Sequence, residues 1–138
     1  MNPESRLLLF ELDPELAGHL QEQFHDDPRV TVLNANALDL PDALLRLGIG
    51  GCDYIISGIP FSILKANQKR ELLQRVHDAL APADHAAFVI YQVTNELRAL
   101  GHCDHFPRSE SEYCLRNIPP MYVTKFYRTA NGSGNGKH

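Results

Sequence analysis

The sequence predicts an α/β domain in which a mostly parallel sheet is wound by helices and finished by an antiparallel strand pair. Three observations predict it. Short apolar runs alternate with segments of helical period in the order β-α-β-α-β-α-β-α-β-β. The first run, Arg6 to Glu11, is continuously apolar from Leu7 to Phe10, as a strand covered on both faces is. The last two strands are separated by too few residues for a helical crossover, so they pair antiparallel.

Each element has its own warrant. Asp13-Pro14 starts a helix over residues 14–24, with aspartate as N-cap and proline at the first helical position. Leu16, Leu20 and Phe24 recur on one face of it. Asp26, Asp27 and Pro28 turn the chain into a second strand, Val30 to Leu33, which ends at Asn34-Ala35-Asn36-Ala37. A short helix from Pro41 to Leu47 is closed by Gly48, and Gly50-Gly51 leads into a third strand. There Tyr54, Ile55 and Ile56 read as a buried run that breaks at Ser57-Gly58, and Pro60 removes a backbone donor. Residues 66–80 carry Leu72, Leu73, Val76 and Leu80 at helical spacing, with Pro82 just beyond. Ala86 to Tyr91 is a fourth buried strand, and Thr94 to Leu100 a short helix stopped by Gly101. His102 to Glu110 is polar and reads as a loop. Glu112 to Asn117 and Tyr122 to Arg128 are the closing strands, joined through Ile118-Pro119-Pro120. Residues 1–129 are expected to form one domain, and 130–138 a flexible Gly/Ser/Asn tail.

Composition bounds the function. The 138 residues suffice for one core, with 43% hydrophobic and 22% charged residues. A net charge of -4 and an isoelectric point near 5.9 give no electrostatic footprint for nucleic acid. The three cysteines form no C-x-x-C pair, which favours a reducing compartment over a disulfide framework. No apolar run approaches the ~20 residues of a membrane span. The expectation is a soluble, cytoplasmic protein. His102-Cys103-Asp104-His105 matches no closed zinc spacing, so no metal site is assigned. Lys65, Lys69 and Arg70 either form a solvated helix face or meet anionic lipid.

Chemistry concentrates at the strand ends. In open α/β sheets ligands sit beyond the carboxyl ends of the strands. Glu11 ends the first strand, where a carboxylate can accept both hydroxyls of a ribose, and Leu12 beside it can lie against an adenine face. Asn36, after the second strand, can accept from an adenine amino group. Ser57 to Phe61 form the lip after the third. The plain alternative is that Glu11 is the first solvated residue after a strand and that Phe61 is core. Tyr91 and Tyr113 either border the cleft or pack beneath it.

Several stretches together, in this order, resemble the S-adenosylmethionine-dependent methyltransferases. They are Glu11-Leu12-Asp13-Pro14-Glu15-Leu16, Asn36-Ala37-Leu38-Asp39-Leu40, Ile56-Ser57-Gly58-Ile59-Pro60-Phe61, Leu80-Ala81-Pro82 and Asn117-Ile118-Pro119-Pro120. The nearest likeness is to the bacterial phospholipid N-methyltransferases and the rRNA adenine dimethylase-like group, from about Pro3 to Arg128. The resemblance implies a Rossmann-like class I methyltransferase fold and S-adenosylmethionine as cofactor. It implies Glu11 on the ribose with Leu12 beside the adenine, Asn36 and Ala37 at the adenine edge, and Ser57, Gly58, Ile59, Pro60 and Phe61 around the reacting amine. The substrate it suggests is a small molecule or a lipid head-group amine, reached through peripheral membrane contact.

The chain departs from that pattern in three places. Asn36 stands where the family has Asp. Gly58 stands where adenine-directed relatives have Asn, which favours an aliphatic amine such as a phosphatidylethanolamine head group. No glycine-rich turn follows a first strand; Gly132-Ser-Gly134-Asn-Gly136 has the letters, but no helix follows it. The sequence thus looks like a methyltransferase domain whose first βα unit is missing, leaving an unfilled slot or an exposed sheet edge. Two functions follow as expectations. One is an N-methyltransferase or a fragment of one, in which the carbonyls of Gly58 and Ile59 hold the amine and the Phe61 ring faces its developing charge. The other is a non-catalytic domain that dimerises or binds a partner through that edge.

Overall fold

The computed structural model describes residues 2–93, 106–116 and 119–128. The expected helix Thr94–Leu100, its stop at Gly101, the His102–His105 run, Asn117-Ile118 and the 130–138 tail lie outside the described residues. The chain divides into two compact units, Met1–Leu40 and Pro41–His138.

The first unit is a βαβ turn of chain. Strand β1 (Leu7–Glu11) and strand β2 (Val30–Asn34) pair in parallel, Leu7 opposite Val30 and Glu11 opposite Asn34. Helix α1 (Pro14–Gln23) joins them. Asp13 caps it as the sequence requires, its side chain accepting from the backbone N–H groups of Glu15 and Leu16 at 2.8 and 3.1 Å. The buried contact of α1 is Ala17, whereas Leu16 is exposed. Of the predicted stripe, Leu20 and Phe24 are half-buried, and Ala17 takes the inward place expected of Leu16. Both strands are half-buried along nearly their whole length rather than covered on both faces, because among the described residues β1 pairs only with β2. In the turn before β2, Arg29 grips Asp27 bidentately, Nε to Oδ1 at 2.8 Å and Nη2 to Oδ2 at 2.6 Å. That hydrogen bonding, with the Arg29 backbone N–H next, holds the Asp27 carboxyl down to about 2.

The second unit carries a four-stranded sheet in the order β3-β4-β6-β5. Strand β3 (Tyr54–Ser57) runs parallel to β4 (Ala87–Gln92); β6 (Met121–Tyr127) is antiparallel to β4 and to β5 (Arg108–Cys114). The mixed sheet with a closing antiparallel pair is the predicted one. Helix α2 (Leu40–Arg46) closes on Gly48, whose φ of 65° lets its N–H and that of Ile49 return to the carbonyls of Leu45 and Leu44. Helix α3 (Ala66–Ala79) buries Leu72, Leu73, Val76 and Ala79. The Arg128 guanidinium, just past β6, donates to the carbonyls of His77 and Leu80 at its far end.

Phenylalanines organise this core. Phe88 lies 6.1 Å from Phe126, 6.2 Å from Phe61 and 6.5 Å from Phe106 between ring centroids. Two sequence expectations change here. Tyr54 and Ile56 are 63% and 71% exposed, so β3 is not the buried strand its composition suggested. It alternates, with Ile55 facing inward, and among the described residues it pairs on one edge only. The polar stretch after residue 105 is not all loop: Phe106 is fully buried and β5 begins at Arg108. As the sheet's outermost strand, β5 is mostly exposed and polar, and so carries little hydrophobic alternation to read.

Candidate functional site

Two sets of predicted site residues stand at the carboxyl ends of strands, one in each unit. In the first unit the β1–β2 register brings the ends of both strands side by side. The Asn34 side chain donates to the carbonyls of Glu11 and Leu12 at 2.9 and 3.0 Å, and Ala35 N–H donates to the Glu11 carbonyl at 3.2 Å. The chain leaving β1 is thereby tied to the end of β2. Glu11 turns its side chain along its own chain, where Oε1 accepts from Asp13 N–H at 2.9 Å. One carboxylate oxygen is thus anchored and the other is left to accept from a ligand. Leu12 is exposed beside it.

Asn36 begins the 3₁₀ turn Ala37–Asp39, its Oδ1 accepting from Leu38 N–H at 3.0 Å. The same oxygen keeps a second lone pair, and the amide keeps its donors. Ala37 follows half-buried at the first position of that turn. Glu11 and Leu12 thus leave β1 beside the end of β2, and Asn36 and Ala37 follow two and three residues after Asn34. Asn34, which fastens the Glu11–Leu12 exit, escaped the strand-end argument; a polar residue closing an apolar strand was its only signal.

In the second unit β3 ends at Ser57, opposite Ile90 of β4. The Ser57 hydroxyl accepts from Ile59 N–H at 3.2 Å and shapes the exit. Gln92 reaches across from β4, its Nε2 toward the Ile59 carbonyl at a long 3.5 Å. Gly58 and Pro60 are exposed, and Ser57 and Ile59 half-buried. Phe61 departs from expectation: its exposure is 0%. The 3₁₀ turn Phe61–Ile63 sends its first side chain inward onto Phe88. The ring that was to face an amine is instead the peg that holds the 57–60 exit to the core. A Cβ on Gly58 would lie 2.7 Å from Tyr91 Cζ and 3.2 Å from Cε2, so a side chain there requires the exposed end of the tyrosine to move. Cys52, upstream of β3, is a poor nucleophile, because burial and then the Asp53 charge push its thiol up.

Among solved structures, the N-methyltransferase NodS from Bradyrhizobium japonicum WM9 superposes with a TM-score of 0.62 over 90% of this chain and 74% of its own, at 13% identity. The chain has the S-adenosylmethionine-dependent methyltransferase fold. A second structure of NodS holds S-adenosyl-L-homocysteine. In sequence, the methyltransferase-fold chain is 30% identical over 83 residues to an ornithine lipid N-methyltransferase of Singulisphaera acidiphila, covering 60% of this chain and 43% of that protein. It is 36% identical over 63 residues to a ribosomal RNA small subunit methyltransferase H of Halorhodospira halophila, covering 45% of this chain and 19% of that protein. It spans less than half the length of these curated relatives. No family model matches it. Among the described residues no helix is long and apolar enough to cross a membrane.

Proposed function

We propose that this chain acts in S-adenosylmethionine-dependent N-methylation, with the amine of a lipid head group as methyl acceptor. One observation carries the cofactor half of this reading. The Asn34 clamp fixes the end of β1 so that Glu11 offers a carboxylate oxygen next to an exposed Leu12. A carboxylate accepting from vicinal hydroxyls beside an apolar side chain suits the nucleoside end of the cofactor. Glu11 would hold the ribose, Leu12 the adenine face, and Asn36 with Ala37 the adenine edge. Among the described residues no glycine-rich turn joins a strand to a helix, so no holder is assigned to the methionine end.

When bound, the cofactor supplies an electrophilic methyl group on a sulfonium centre. The chain's own residues have the task of holding the acceptor nitrogen with its lone pair free. The carbonyls of Gly58 and Ile59 accept the amine's hydrogens, Ser57 and Pro60 keep that exit in one conformation, and buried Phe61 anchors it. The likeness to an ornithine lipid N-methyltransferase supports an aliphatic lipid amine over a nucleobase. The test is transfer of labelled methyl from S-adenosylmethionine to vesicles containing phosphatidylethanolamine or ornithine lipid, with ribosomal RNA in parallel. Label in the lipid amine supports the reading; label in RNA alone overturns its substrate class. No label, together with no cofactor binding, overturns it whole.

A second reading rests on the unpaired edges. Among the described residues β1 pairs only with β2, and β3 only with β4, so each offers an edge to which a second copy could add a strand. Light scattering tests it: a dimer supports the reading, and a monomer at high concentration contradicts it.

A further inference from the structure

We infer that the Tyr91 hydroxyl is a specificity-determining contact for the substrate amine, accepting one of its N–H groups beside the Gly58 and Ile59 carbonyls. The inference rests on the N-methylation reading and names the polar side chain that reading lacks.

Ser57 and Ile90 are the last paired residues of β3 and β4, so Gly58 and Tyr91 follow side by side. With no side chain at 58, the Tyr91 ring leans across the vacant position, and a Cβ built on Gly58 would overlap the tyrosine hydroxyl itself. The end of the ring therefore lies where a side chain of residue 58 would begin. Two contributions of this tyrosine can be separated. The ring covers a strand-end glycine, a packing role that any aromatic residue could fill. The hydroxyl adds nothing to that cover. Tyr91 is 47% exposed, and among the described residues its oxygen makes no hydrogen bond within the chain. A phenol oxygen both accepts and donates. Here it stands beside the main chain whose carbonyls were assigned to the amine, so it would add an acceptor to that set. An acceptor of this kind discriminates by N–H content: it serves an amine that still carries hydrogens and gives nothing to a fully methylated one.

The experiment uses the full 138-residue chain carrying ¹³C-labelled tyrosine, titrated with phosphoethanolamine and with phosphocholine, which has no N–H, and followed by NMR. Tyr91→Phe keeps the ring over Gly58 and removes the oxygen. The expected result is that phosphoethanolamine shifts the Tyr91 ring signals of the wild type. Tyr91→Phe should weaken its binding roughly 5- to 10-fold, as loss of one hydrogen bond does, while phosphocholine binding is unchanged and the melting temperature is kept. Gly58→Ala, whose Cβ must push the exposed end of the ring aside, should weaken phosphoethanolamine in the same way. Phosphoethanolamine binding unchanged in Tyr91→Phe, or both ligands weakened equally, overturns the role of the hydroxyl and leaves the N-methylation reading standing. A wild type that neither binds phosphoethanolamine nor methylates any amine overturns both.

Discussion

Asn34 stands opposite Glu11 in the parallel register of β1 and β2, and its amide bridges the Glu11 and Leu12 carbonyls. One side chain thus links the exits of two strands, including the exit that displays the candidate ribose ligand. Asn34→Ala should cost about 1 kcal/mol, the usual worth of such hydrogen bonds at a partly hydrated site. It should weaken S-adenosylhomocysteine binding by more than that loss of stability implies, because Glu11 and Leu12 lose their common support. Chemical denaturation and calorimetry on the same variant separate the two effects.

Phe61 provides a second prediction, as a core side chain. A ring at 0% exposure against Phe88 is a core side chain. Phe61→Ala should destabilise the protein by about 3–5 kcal/mol, and Phe61→Leu by much less, since leucine keeps most of the apolar volume. Denaturant midpoints decide it. Equal and small losses for both variants would show that the ring is not packed as described.

Stability should also depend on acid through Asp27. Its carboxyl is held at about 2 by Arg29, below the ~3.9 of an unfolded aspartate. The unfolded chain therefore takes up the proton first as pH falls. The stabilisation by this pair is fully present above about pH 4 and is lost as pH drops through about 2. Melting temperatures of wild type and Asp27→Asn, compared from pH 6 downward, should converge across that window. A gap that stays constant to pH 2 would assign the stabilisation to something other than this charge.

Much of the fold was legible because local chemistry and global pattern agree. Asp13-Pro14 caps a helix, Gly48 closes one at positive φ, and the short link between the last strands forces antiparallel pairing. What misled was exposure. An apolar run such as Tyr54–Ile56 reads alike whether neighbours cover one face or two, and sequence does not record which faces are covered. Edge strand β5 was missed at its start because exposed strands need no apolar alternation. At the candidate site, the strand-end position of Glu11 and Asn36 could be read from where apolar runs stop. The Asn34 clamp and the lean of Tyr91 over Gly58 could not, since both depend on the pairing register of strands distant in sequence.

Glu11 is proposed to hold the nucleoside end of the cofactor. Calorimetric titration of S-adenosylhomocysteine into the 138-residue chain and its Glu11→Gln variant tests it most directly. Glutamine preserves the acceptor for Asp13 N–H and removes the charge offered to the ribose. The expected outcome is measurable binding by the wild type and a loss of roughly 10- to 100-fold in Glu11→Gln, the worth of a charge-assisted hydrogen bond pair, with the fold intact by circular dichroism. Equal affinities for the two proteins, or no binding to the wild type, would contradict the claim.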